Sequence, residues 1–303
     1  MREMVVKKNL ILALLIAVMF VTVLSVRDVS AEVTTMPDGN LFDPEYYLAA
    51  YPEVYDTYGD LPLDLYRHYI EHGKAEGKQP YHVQPKQSIG WNIDDFGSIG
   101  VVGDSFASGA ISVNGVLTDV YSVSWPQIMG KKHSMHVDNY TKGGLTTESW
   151  LLVPEGSARM NASAPNDLYI LILGLNDCAI VEPTRTGGYL GEPGDITRNA
   201  SYLNYPDTFY GNYGKIIEQI RAHAPAAQIV MVTINYPTVT AQKYNEAIMN
   251  IARYYGIPFV CQNEDAFFAS DTYTNMEMGH PTKAGYEGMA DAIPRLIFNS
   301  LRF

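Results

Sequence analysis

The stretch SIGVVGDS, residues Ser98–Ser105, runs a short apolar segment straight into Gly-Asp-Ser. Ile99, Val101 and Val102 are β-branched, and so short a run bounded by turn residues reads as a strand buried on both faces. Gly, Asp and Ser end many strands for turn chemistry alone, so the tripeptide gains meaning only from what surrounds it. Outward from it the pattern repeats. Apolar runs at Ile99–Val102, Met135–Val137, Leu168–Leu173, Gln228–Ile234 and Pro258–Cys261 alternate with helical stretches such as Tyr213–His223 and Gln242–Tyr255. Regular alternation of strand and helix predicts an α/β fold, a parallel sheet covered on both faces, with ligands at the carboxyl ends of its strands.

That edge is where the reactive residues fall. The first run ends in Gly103-Asp104-Ser105 and the third in Gly174-Leu175-Asn176-Asp177; between them comes Lys142-Gly143-Gly144-Leu145-Thr146-Thr147, and near the C-terminus Glu277-Met278-Gly279-His280-Pro281-Thr282. Each piece suits acyl transfer. A Ser hydroxyl needs a base, and His280 is the one His beyond the last strand run. A carboxylate three residues upstream, Glu277, is placed to hold the other imidazole nitrogen. The tetrahedral oxyanion needs donors, and the Ser105 N–H, a Gly N–H and the Asn176 amide can supply them.

In this order the blocks Gly103-Asp104-Ser105, Gly144, Gly174-x-Asn176-Asp177 and His280-Pro281 resemble the SGNH hydrolases, the GDSL lipase/esterase superfamily, over about Ile93–Phe303. Trp125-Pro126, Tyr244-Asn245 and Gly285-Tyr286 fit the same pattern. The resemblance implies a flavodoxin-like three-layer α/β/α sandwich on a five-stranded sheet, with Ser105 as nucleophile and His280 as base. It implies an oxyanion hole from Ser105, Gly144 and Asn176, with Asp104 and Asp177 in support, and neither metal nor cofactor. One position departs: where the family has Asp, this chain has Glu277, with Asp271 as the nearest substitute and a Ser-His dyad as the remaining arrangement. An α/β-hydrolase elbow fits less well, because Ala107 stands where G-x-S-x-G needs Gly and Ser105 follows the first strand.

The ends of the chain set its context. Arg2, Lys7 and Lys8 precede an apolar run, Leu10–Leu24, and Val29-Ser30-Ala31 places small residues where a signal peptidase reads. Residues 1–31 are therefore expected to be a secretory leader cut after Ala31, with an uncleaved anchor as the alternative. Losing Arg2, Lys7, Lys8 and Arg27 together with Glu3 and Asp28 takes the formal charge from −12 to −14. So acidic a surface argues against nucleic acid and anionic membranes as partners, and against stable membrane insertion once the leader is gone.

Residues 40–82 form a second region. Asp43-Pro44 and Pro62 each open a helix, and Gly73 ends the second, predicting a helical hairpin before the hydrolase-like region 93–303. It resembles a short Tyr-rich module found beside catalytic domains in secreted bacterial proteins, and residues 42–80 are a candidate for cell-surface or glycan contact. Its His68-Tyr69-Ile70-Glu71-His72 matches the zinc pattern H-x-x-E-H, but a short Tyr-flanked helix lacks the third ligand and surrounding domain such a site needs.

A long insert, Glu182–Asn212, carries Tyr189, Tyr202, Tyr205 and Tyr210, which would form either a sugar-stacking wall over the site or a packed Ω-loop. A smaller one, Ala110–Ser122, would wall the other side. Together these features predict a secreted serine esterase acting on small acyl esters, acetyl first among them, on a glycan. The alternatives are a lipase or lysophospholipase, and an SGNH scaffold kept as an inert binding protein.

Overall fold

The computed structural model describes residues 34–36, 41–76, 78, 80, 91–186, 188–198, 201–299 and 301. The expected leader, 1–31, lies outside them, as does most of the polar linker after residue 80. No helix among the described residues is long and apolar enough to cross a membrane. The chain divides into two compact units between Val83 and Gln84.

In the first unit Asp43 accepts from Tyr46 N at 2.8 Å and caps the helix Pro44–Ala50, and a second helix runs Pro62–His68. About forty residues bury little aliphatic surface, and here aromatic rings fill the core instead: Phe42 lies 5.0 Å from Tyr47 and 5.2 Å from Tyr66, with Val54 and Leu65 buried beside them. His68 belongs to this packing. Its Nδ1 sits 2.8 Å from the Tyr47 hydroxyl, Tyr58 meets its ring edge-on, and burial lowers its pKa. His68 of the H-x-x-E-H pattern is thus taken up by core packing, while Glu71 and His72 stay half exposed.

The second unit holds five parallel strands: β1 (Ser98–Gly103), β2 (His136–Thr141), β3 (Leu168–Ile172), β4 (Gln228–Val232) and β5 (Phe259–Val260), in the order β2-β1-β3-β4-β5. Strand residues alternate between two cores, as the pleat requires. Ile99, Val101, Leu168, Ile170, Val230 and Val232 pack with the helices α2 (Trp125–His133) and α6 (Lys283–Asn299). Val102, Tyr169, Leu171, Ile229 and Met231 face α3 (Thr147–Leu152), α4 (Phe209–His223) and α5 (Val239–Tyr255). This is the three-layer α/β/α sandwich. Gly100 is needed where it stands, since a Cβ there would lie 2.8 Å from the Tyr169 ring. The sheet order reverses between β1 and β3, so the crevice opens outside their carboxyl ends, where Ser105 and Asn176 follow.

The Ala110–Ser122 segment contains a hairpin, Ala110–Val113 with Val116–Asp119, closed by Asn114-Gly115 with both φ positive. The Glu182–Asn212 insert is ordered and packed. The Glu182 carboxylate collects three donors: Tyr189 N at 2.7 Å, Leu190 N at 3.1 Å and the Tyr244 hydroxyl at 2.8 Å. Helix α4 begins at Phe209, four residues before the sequence pattern placed it, because Thr208 caps it by accepting from Gly211 N.

Candidate active site

Ser105 is the first residue of the four-residue helix α1 (Ser105–Ser108), capped by Asp104, whose Oδ1 accepts from Phe106 N at 3.0 Å. The turn is held from several sides. Asn139, buried on β2, donates to Ala107 O at 3.0 Å. The Tyr286 hydroxyl lies 3.1 Å from Ser105 O and 3.0 Å from Ala110 O, so one proton serves two carbonyls. The Ser105 side chain meets His280: Oγ to Nε2 is 2.9 Å.

The other ring nitrogen decides what that contact can do. His280 Nδ1 lies 3.1 Å from Met278 O, an acceptor only, so the proton sits on Nδ1 and Nε2 is left to accept from Ser105. This is the tautomer a general base requires. Glu277 does not supply the contact expected of it. It is exposed, and among the described residues no hydrogen bond or ion pair joins its carboxylate to the ring. The cause is local geometry: Met276–Glu277 and His280–Pro281 form a two-residue hairpin closed by Met278 (φ 52°) and Gly279 (φ 76°), which folds the Met278 carbonyl back onto the imidazole. Asp271, also exposed, makes no such contact either.

The donors were expected from Ser105, Gly144 and Asn176, and a count of amides shows which are open. Gly143 N donates to Asp119 Oδ2, Leu145 N to Lys142 O, Thr146 N to Ser149 Oγ and Thr147 N to Asp177. Among the described residues only Gly144 N in this run has no acceptor, and Ser105 N, at a helix start, has none either. Gly144 has φ 80°, and a Cβ placed on it would meet nothing within 4 Å, so an oxygen can approach its N–H freely. Asn176 joins the two loops: its Nδ2 donates to Leu145 O at 2.9 Å and lies 3.5 Å from Asp104 Oδ2.

The supporting carboxylates are both buried. Asp177 accepts from Thr147 N and, at 2.7 Å, from Thr147 Oγ1, fixing the first turn of α3. Burial pushes its pKa up to about 6, and burial likewise pushes Asp104 up to about 7. A cavity of about 30 Å³ lies under this edge, lined by Asp104, Phe106, Leu175, Val232, Tyr273 and Met289 among others, and neither Ser105 nor His280 lines it.

The insert tyrosines do not line it. Tyr189 is 1% exposed, with its hydroxyl 3.3 Å from Thr147 Oγ1 and accepting from Asn212 Nδ2 at 3.0 Å. Tyr205 and Tyr210 are buried, bonded to Tyr255 and Asn250, and Tyr202 packs on the same core. The packed Ω-loop, and not a stacking wall, is what these rings build. Sequence reasoning missed two groups near Ser105: the Met278 carbonyl and Asp119.

A model of the GDSL-like lipase/acylhydrolase family matches residues 101–287. The chain belongs to that family. It is thereby a serine hydrolase acting on ester bonds. Among solved structures, one matches at 20% identity and TM-score 0.50, covering 66% of this chain and 95% of its own. A G-D-S-L family protein from Desulfitobacterium hafniense matches at 17% and 0.46 over 66% and 99%, and a GDSL-like protein from Bacteroides ovatus at 17% and 0.45 over 66% and 97%. No curated protein matches the chain.

Proposed function

We propose that this GDSL-family chain is an exported esterase that removes small acyl groups, acetyl above all, from a glycan, using Ser105 as nucleophile and His280 as base. The observation that carries it is the 2.9 Å contact between Ser105 Oγ and an imidazole nitrogen whose partner nitrogen is fixed as the proton carrier. Ser105 Oγ attacks the acyl carbonyl while His280 Nε2 takes its proton. The oxyanion is received by the open Ser105 and Gly144 N–H groups, joined by the Asn176 amide proton that at rest faces Asp104 Oδ2 at the long distance of 3.5 Å. The imidazolium then protonates the departing sugar oxygen, and water repeats the sequence to free the acid. Met278 O holds the ring, and among the described residues no carboxylate is bonded to it.

The expected leader and the formal charge of −12 favour a neutral extracellular substrate. In the first unit Tyr55, Leu61, Leu63 and Ile70 stay exposed, a surface suited to contact with a cell wall or glycan. A lipase reading draws on Ile180, Tyr236 and Met278, exposed apolar side chains on the helical turn after β3, the segment after β4 and the His280 hairpin.

Hydrolysis of p-nitrophenyl esters from acetate to palmitate, followed by acetate release from acetylated polysaccharides, tests the proposal. A preference for acetate that disappears in Ser105→Ala is expected. A rate that climbs with chain length supports the lipase, and no turnover together with an unlabelled Ser105 under a fluorophosphonate probe leaves an inert scaffold.

A further inference from the structure

The hairpin after α1 ends in Asp119, whose carboxylate reaches in two directions. Oδ1 accepts from Ser108 Oγ at 2.5 Å, and Ser108 is the last residue of the helix that Ser105 begins. Oδ2 accepts from Gly143 N at 2.9 Å, and the next amide is the open Gly144 N–H. The fit is close: a Cβ on Gly143 would lie 3.1 Å from Asp119 Oδ1. The hairpin itself is anchored to the nucleophile turn, since Val120 N donates to Gly109 O at 3.1 Å. Ser108 Oγ also lies 3.3 Å from Ser105 O.

We infer that Asp119 is a positioning residue for the reaction: it locks the Gly143-Gly144 turn to the helix carrying Ser105 and so sets the Gly144 N–H at the developing oxyanion. The reasoning is one of degrees of freedom. Gly143 and Gly144 are two successive residues without side chains, and Gly144 has φ 80°, so the turn has little intrinsic rigidity. An N–H displaced by an ångström from the oxyanion loses most of its value, because the donor must already stand where charge will develop. A carboxylate bonded both to the turn and to the nucleophile's own helix fixes the one relative to the other. The Ala110–Ser122 segment thus acts as a brace between two parts of the site, where its sequence suggested a wall.

The inference rests on the proposed roles of Ser105 and Gly144, and the experiment separates the two. Full-length wild type, Asp119→Ala, Asp119→Asn and Ser108→Ala are compared for kcat and KM on p-nitrophenyl acetate, and for inhibition by a small alkylboronic acid. That probe adds to a serine Oγ and places a tetrahedral oxygen where the oxyanion forms. Asp119→Ala should lower kcat about 10- to 100-fold, short of the loss of a whole donor, with KM changed little. Boronate inhibition should weaken by the same factor. Asp119→Asn keeps an acceptor for Gly143 N and should recover most of the loss. Ser108→Ala cuts the brace from the other side and should show the same kcat-selective loss, which covers the case that Asp119→Ala does not fold. A folded Asp119→Ala or Ser108→Ala with kcat and boronate inhibition at wild-type levels overturns the inference alone. So does an Asp119→Asn as slow as Asp119→Ala. A wild type that neither turns over nor labels at Ser105 overturns the proposed function with it.

Discussion

Removing the Glu277 carboxylate should leave the enzyme nearly as fast as before. Glu277 is exposed, and His280 Nδ1 is already occupied by Met278 O at 3.1 Å. What Glu277→Ala deletes is at most a solvent-screened attraction to the imidazolium, of order 1 kcal/mol or less, so kcat should fall no more than about fivefold. A carboxylate that truly holds the ring is worth about four orders of magnitude. The two arrangements are therefore separated by about three decades in rate. The test is a fair one, because Glu277 pairs directly with His280 across the hairpin, and side chains at such a pair share a face with Cβ atoms about 5 Å apart. A rotation about its side-chain bonds is all that bringing the carboxylate nearer would require. The assay is kcat on p-nitrophenyl acetate for wild type, Glu277→Ala, Glu277→Gln and Asp271→Ala, with His280→Ala giving the floor. A loss above about 100-fold in Glu277→Ala at an unchanged melting temperature would refute the dyad.

Two further outcomes follow from the buried polar groups. Glu182→Ala strips the shared acceptor from Tyr189 N, Leu190 N and the Tyr244 hydroxyl, and should cost about 2–4 kcal/mol; limited proteolysis should then cut within residues 182–212, and an insert as resistant as wild type would count against the Glu182 anchor. Asp104, raised by burial from 3.8 to about 7, keeps a proton in the folded state that the unfolded chain gives up from about pH 4 upward. Its contribution to stability is complete below pH 4 and is lost as pH rises to about 7. The wild-type melting temperature should therefore fall more between pH 5 and 7.5 than that of Asp104→Asn, and parallel curves would contradict the shift.

The sheet was legible because β1, β3 and β4 are buried along nearly their whole length and so appear as apolar runs, and because the sheet's edge gathers Ser105, Gly144, Asn176 and His280 from separate segments; the edge strand β2, HVDNYT, is partly exposed and runs four residues beyond the apolar stretch that announced it. The tyrosines were not legible. A Tyr buries well when its hydroxyl finds a partner, and the partners of Tyr189 are Thr147 and Asn212, far from it in sequence on either side. Glu277 misled because spacing alone cannot distinguish an open loop from a tight hairpin, although Gly279 before His280 carried a hint of the turn. The early start of α4 was hidden by Gly211, which looks like a loop residue but is required where a Cβ would meet Pro206 O. Asn114-Gly115 announced the hairpin, but nothing local announces that Asp119 at its end meets Gly143.

The buried Asn139 bears on how this protein can be made. Asn139-Tyr140-Thr141 spells the acceptor triplet for N-linked glycosylation, as do Asn161-Ala162-Ser163 and Asn199-Ala200-Ser201. Asn161 is exposed and could carry an oligosaccharide outside the fold. Asn139 is 3% exposed, and its amide nitrogen, the atom a glycan would occupy, is bonded to Ala107 O beneath the nucleophile turn. A yeast or mammalian secretory line modifies the chain while it is still entering the lumen, before β2 has paired. Every molecule tagged there would be barred from closing its own sheet, so the yield of such a preparation would be set by how often one asparagine escapes the transferase.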